Sequence, residues 1–188
     1  MKRLTLNITL IFLFLGLAAQ SENEIEFLID NFSNIKDMPY ICRKIDNDFS
    51  IGCGDSIFWK AVSKRDMIIP FLLERLDDTT TSLTSVPNFG GEYLIGDISL
   101  MILQVLIWGI PVLDLAEDKE NPEPRNGYWG YWNYTRREPD NRVKFKKRII
   151  DWYNQNKKDF VWIESDDIKI CDCALLKNPA GGHYEIKK

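Results

Sequence analysis

Four cysteines, at positions 42, 53, 171 and 173, are the side chains of this 188-residue chain whose type and spacing could do the most chemistry. Ten residues separate Cys42 from Cys53, and one separates Cys171 from Cys173. Three chemistries suit them. As disulfides they allow three pairings. A direct Cys171 to Cys173 bond closes a ring too small for the usual alpha-carbon separation and S–S dihedral, which favours links from Cys42 and Cys53 to the tail. Each such link closes a loop of over about 100 residues and adds roughly 4.7 kcal/mol in the chain-entropy picture. As metal ligands, the four thiolates, or three with His183, make the tetrahedral set that zinc prefers, but neither gap matches the usual two-to-four-residue knuckle. The third chemistry is a redox pair in Cys171-Asp172-Cys173.

His183 is the only histidine, so any Ser-His-Asp or Cys-His chemistry runs through it. It sits in a Gly-Gly-His-Tyr turn near the end of the chain, a setting that suits a packed or surface residue better than a catalyst. The chain contains no Gly-x-Ser-x-Gly elbow, no His-Glu-x-x-His and no phosphate-cradling glycine loop. Glu92 and Asp97, with Asp77 and Asp78 nearby, offer a glycosidase-type carboxylate pair. Helix capping accounts for the same residues more simply. No catalytic residue, metal or cofactor is assigned.

The densest aromatic cluster is Gly127-Tyr128-Trp129-Gly130-Tyr131-Trp132-Asn133-Tyr134. Tyr128, Trp129, Tyr131 and Trp132 are the candidate binding residues, because such rings stack on sugars and act as anchors in protein interfaces with few rotors to freeze. At helical spacing, Tyr128, Tyr131 and Trp132 equally suit a core-covering face. Asn133-Tyr134-Thr135 matches a glycosylation acceptor, meaningful only in a host that glycosylates exported proteins.

These residues depend on compartment, and the first 19 residues address it. Lys2 and Arg3 precede an apolar run over 8–17 and a small-residue end at Ala18-Ala19: a secretory signal peptide, cut after Ala19 or after Ala18. The run is about half of the roughly 20 residues a bilayer span needs. No cysteine follows it directly, so no lipid anchor is expected. A secreted or periplasmic location makes disulfides the leading reading of the cysteines. Removing Lys2 and Arg3 takes 24 basic residues to 22 against 28 acidic ones, a mature net charge of −6, which disfavours a nucleic-acid partner. Residues 20–188 are one domain's worth of chain.

The elements that must position these groups read as mainly helical. Ile25, Leu28, Ile29, Phe32 and Ile35 share one face of a helix over 22–35. Asp55 or Ser56 caps a short helix carrying Ile57, Phe58, Trp59 and Val62. Pro70 opens a helix over 69–77. A polar stretch over 79–91 holds an extended piece near 83–86. A long apolar helix follows over 93–110, stopped by Gly109 and Pro111. Its length invites a membrane reading, but Asp97 and Gln104 argue it into the core. Residues 117–126 make a charged loop. From Asp140 or Asn141 a helix places Phe145, Ile149, Trp152 and Tyr153 on one face, with Lys144, Lys146, Lys147 and Arg148 on a solvated one. The tail reads as short strands over 161–163 and 168–176, with a turn over 178–182.

The segments IIPFLLERLDD (68–78) and YLIGDISLMILQVLIWGIP (93–111) resemble the helix pair of a HEAT-type repeat. More loosely, the chain resembles a group of uncharacterised exported bacterial proteins sharing Phe-Trp after a Cys-Gly segment, the GYWGYWNY stretch and a CDC…NPAGGHYE tail. No second copy at a 40–47-residue period is present, so no solenoid is expected. The resemblance implies a helical scaffold used for protein contacts and carries over no catalytic residue.

The expectation is therefore a mainly α, compact helical domain with a HEAT-like helix pair and a short extended C-terminal tail stapled by disulfides. Its expected role is that of an exported non-catalytic domain binding a protein or envelope component, with no membrane span after signal cleavage. A cell-wall or glycan hydrolase using Glu92 and Asp97 is the alternative.

Overall fold

The 3–4 spacing of Ile25, Leu28 and Ile29 puts all three in the interior on helix α1 (22–30), which runs into a 3-10 turn at Asn31–Asn34 that buries Phe32. The structure, a computed structural model, describes residues 22–39, 41–45, 48–87, 89–117, 128–165, 167–168 and 176–187. The expected signal peptide, the loop over 118–126, Cys171 and Cys173 lie outside the described residues.

An antiparallel hairpin follows, β1 (Ile41–Ile45) with β2 (Asp48–Gly52), in a register that sets Cys42 opposite Ile51. Helix α2 (Ser56–Val62) begins where Asp55 accepts from the Ile57 amide at 2.9 Å, the capping the sequence predicts. A 3-10 turn at Arg65–Ile68 leads into α3 (Ile69–Glu74), with Pro70 in the first turn, where its missing N–H costs nothing.

The polar stretch holds its expected extended piece as β3, at Thr81–Ser85 rather than 83–86, and β3 pairs with a strand not expected, β4 (Glu92–Leu94). In β3 the inward positions are Ser82 and Thr84, and the Thr84 hydroxyl donates to the Ile35 carbonyl at 3.0 Å. Pairing of 92–94 shortens the central helix: α4 runs over Ile95–Leu106, not over 93–110. Its first amides are met by the preceding turns, Ile95 donating to the Thr80 carbonyl and Gly96 to that of Asp78. It ends early because Ile107 turns extended and bridges Tyr184, before Gly109 at φ +85° redirects the chain. At 12 residues α4 spans about 18 Å, well under a bilayer core of about 30 Å. Among the described residues no helix is long and apolar enough to cross a membrane.

The short helix α5 (Val112–Leu115) is followed, beyond the undescribed loop, by α6 (Tyr128–Arg137) and α7 (Pro139–Asn156). Phe145 and Ile149 of α7 enter the core, as their spacing predicts. Its basic residues divide. Lys144 and Lys147 are exposed. Lys146 reaches the Glu74 carbonyl and Asp77, and Arg148 donates to the carbonyls of Leu115 and Glu117. Half of the expected solvated face thus ties α7 to its neighbours.

The tail forms two paired stretches, β5 (Phe160–Glu164) with β8 (Gly182–Ile186), and β6 (Asp167–Ile168) with β7 (Leu176–Lys177), both antiparallel. The strand at 161–163 is as expected. Its partner lies beyond the 178–182 turn, because Asn178 accepts from the Gly181 amide and reverses the chain there. The fold is mainly α, with α4 at the centre of one hydrophobic cluster drawn from α1 to α7.

Candidate functional site

Helix α6 carries the aromatic run, and its docking on α4 decides which rings face solvent. Tyr131 and Trp132 point inward, 1% and 9% exposed. Tyr128 and Trp129, one turn earlier, stay 40% and 42% exposed. The four candidate binding residues therefore divide into two anchors and two surface rings.

Both surface rings are held. The Tyr128 hydroxyl is hydrogen-bonded to the Gln104 side-chain oxygen on α4, and its ring packs against Trp132. Trp129 meets Phe89 edge-on, with centroids 5.1 Å apart. Phe89 also lies against Trp132 and under the Arg136 guanidinium, 5.3 Å from its ring centroid. Beside Tyr128, a groove of about 440 Å³ opens between Gln104 and the 110–114 turn. That is within the size range of small-ligand sites.

Beneath these rings lies Asp97. It is buried and receives four donors: the Tyr131 hydroxyl at 2.8 Å and Arg142 at 2.7 Å on Oδ1, the Leu94 amide at 3.0 Å and Arg136 at 3.2 Å on Oδ2. Arg136 also donates to the carbonyls of Gly90 and Glu92. Burial, reinforced by the Asp97 charge, pushes the Tyr131 phenol well above its ordinary range. Burial would lower Arg142, but the Tyr131 oxygen and the Asp97 carboxylate outweigh it and hold the guanidinium charged. The carboxylate is thus a fully satisfied structural charge.

This geometry dismantles the carboxylate pair. A general acid or base needs reach to a substrate proton, and Asp97 is enclosed by two arginines and a tyrosine while Glu92 is exposed on β4. Asp77 and Asp78 have structural duties: Asp77 pairs with Lys146, and Asp78 accepts from the Thr80 amide. His183 on β8 is buried, stacked on Trp108 with centroids 3.6 Å apart and bonded to Glu185 at 3.0 Å. The Asn133 sequon lies within α6, where Thr135 is buried and donates to the Tyr131 carbonyl.

Cys53 lies just beyond β2. Its carbonyl accepts from the Trp59 indole at 2.7 Å. Among the described residues no group of three or more His, Cys, Asp or Glu could hold a metal ion.

Two features of this region were missed in the sequence. Phe89, between Pro87 and the glycine turn, completes the aromatic cluster, and Arg136, one helical face along from Trp132, closes the charge network. The only local signal was the i, i+4 relation of Trp132 and Arg136.

No protein-family model, curated protein or solved structure matches the chain.

Proposed function

We propose that this is an exported, non-catalytic binding domain that meets a protein or another envelope component through Tyr128 and Trp129. One observation carries the reading. Both rings are about two-fifths exposed, yet each is tied down, Tyr128 to Gln104 and Trp129 to Phe89. Exposed aromatic rings that are already ordered lose little entropy on binding, which is the property of interface anchors. The enclosed Asp97 supports a role without acid–base chemistry.

The HEAT-like reading of α3 and α4 belongs to this proposal. It is supported by their mutual packing, although a β-hairpin separates them in the chain. The staple belongs to it too: Cys53 is taken to bond to Cys171 or Cys173. In support, Arg65, in the turn after α2, stacks on Trp162 of β5, which brings the tail against the helix that Cys53 precedes. Peptide mapping without reductant tests this pairing. A Cys42 to Cys53 peptide would overturn it.

For the binding role, envelope fractions are offered separately as purified sacculi and as detergent-solubilised proteins. Saturable retention in one fraction, lost in Tyr128→Ala/Trp129→Ala and kept in a Trp108→Ala control with unchanged melting, is expected. Equal retention of both variants sinks the reading.

A further inference from the structure

A second aromatic surface lies at the tail, apart from Tyr128 and Trp129. In the β5–β8 register Trp162 stands opposite Tyr184, so alternation puts both on one face with Phe160. Trp162 and Tyr184 meet edge-on at 4.9 Å, Phe160 joins Tyr184 at 6.1 Å, and Tyr153 of α7 joins Phe160 at 5.8 Å. All four rings are half-buried, which leaves part of each reachable from solvent.

One cation already sits there. The Arg65 guanidinium carbon is 4.0 Å from the Trp162 ring centroid, a cation–π contact at close range. Arg65 is exposed, and at φ +56° it is the only non-glycine residue with positive φ among the described residues. Glycine or asparagine would hold that backbone shape at less cost. Among the described residues Arg65 makes no ion pair, and neither does the exposed Asp66 next to it. Burial first, and then the nearby Asp66 charge, raise the Tyr184 phenol, and Asp66 contributes likewise at Tyr153 after burial and Tyr184. Asp66 directly follows the stacked Arg65 in the 3-10 turn Arg65–Ile68 and is exposed, so its carboxylate is carried by the turn that meets the rings.

We propose that the Tyr153, Trp162 and Tyr184 face, with Asp66, is a binding site for an arginine side chain of a protein partner, and that Arg65 is a resident stand-in which the partner displaces. The choice of arginine follows from the stand-in. The face already holds a guanidinium, its carbon 4.0 Å from the Trp162 ring centroid, and a planar guanidinium can stack on an aromatic face as a compact ammonium cannot. Among the described residues the Arg65 side chain makes no ion pair and is held by that stack, so a partner's guanidinium has a single contact to displace. The incoming guanidinium gains the Asp66 carboxylate, which Arg65 does not use.

The test measures tri-arginine and tri-lysine peptides by tryptophan fluorescence on the full exported chain, for wild type, Arg65→Asn and Arg65→Asn/Asp66→Asn. Asparagine tolerates the left-handed backbone, so the turn is kept. Emptying the stack should tighten tri-arginine binding about tenfold, and removing Asp66 should reverse about that much, while tri-lysine changes far less. Circular dichroism confirms that all three chains melt alike. No gain for tri-arginine in Arg65→Asn overturns the proposal, as does an equal gain for tri-lysine, which would report only the loss of one positive charge. Because Tyr128 and Trp129 play no part here, failure of this test leaves the reading of that surface intact, and the reverse holds.

Discussion

Arg142 of α7 meets Asp97 of α4 at 2.7 Å, with both side chains almost fully buried. The two residues lie 45 positions apart, and between them the chain makes α5 and α6. Their bond therefore fixes how the C-terminal helices sit on the central one. Tyr131 donates to the same carboxylate oxygen, so α6 is set by the same contact. The exposed rings of Tyr128 and Trp129 inherit their placement from a buried ion pair.

Removing Asp97 should expose how much that arrangement depends on it. Asp97→Ala leaves Arg142 as a buried cation without its partner, and urea denaturation should show a loss of about 3–5 kcal/mol. The double variant Asp97→Leu/Arg142→Met removes both charges at similar volume and should recover most of the loss. Arg136 is partly exposed and can turn to water in either case. A single-variant loss under about 1 kcal/mol, the size expected of a surface pair, would show that the network is incidental.

Local chemistry was legible in the sequence, and pairing between distant segments was not. The Asp55 cap, Pro70 in a first turn, and the apolar stripes of α1 and α7 depend on residues within one or two helical turns, so spacing predicts them. The ends of α4 depend on partners elsewhere. Residues 92–94 were claimed by Thr81–Ser85, and Ile107 by Tyr184, which no periodicity announces. At the site, the density of rings over 128–134 was plain, but which of them face out was set by docking onto Asp97. The Arg65 to Trp162 stack joins residues 97 positions apart and leaves no local trace at all.

Gly96 separates helix propensity from packing. In the first turn of α4 an added Cβ would stand 2.4 Å from the Leu76 carbonyl oxygen and 3.0 Å from the Arg142 Nη1. Propensity alone says that Gly→Ala in a helix stabilises by roughly 0.5–1 kcal/mol. Overpacking against backbone says the opposite, at about 1–3 kcal/mol. Gly96→Ala should therefore lose stability. Gly130→Ala in α6, where nothing lies within 4 Å of the added Cβ, should gain it. Thermal melts of the two variants that moved in the same direction would contradict this account of the α4 start.

Tyr131 predicts how the fold responds to alkali. Its phenol is held neutral, chiefly by burial and then by the Asp97 charge, so its folded pKa lies well above the ordinary tyrosine value of about 10 that the unfolded chain retains. The stabilising contribution of a raised pKa is fully present below the unfolded value. Above it, the unfolded chain releases a proton that the folded chain keeps, so ionisation favours unfolding and stability falls toward the folded pKa. Each such tyrosine steepens the fall by about 1.4 kcal/mol per pH unit. Tyr131→Phe should be less stable than the parent at pH 8, having lost the bond to Asp97, by about 1.5–3 kcal/mol for a hydrogen bond to a charged group. Between about pH 10 and 11 its stability should then decline less steeply, by up to one proton's worth, because the other raised tyrosines remain. Parallel declines for parent and variant in urea titrations across that interval would place the phenol in water, and the enclosed Asp97 cluster would need to open to allow it.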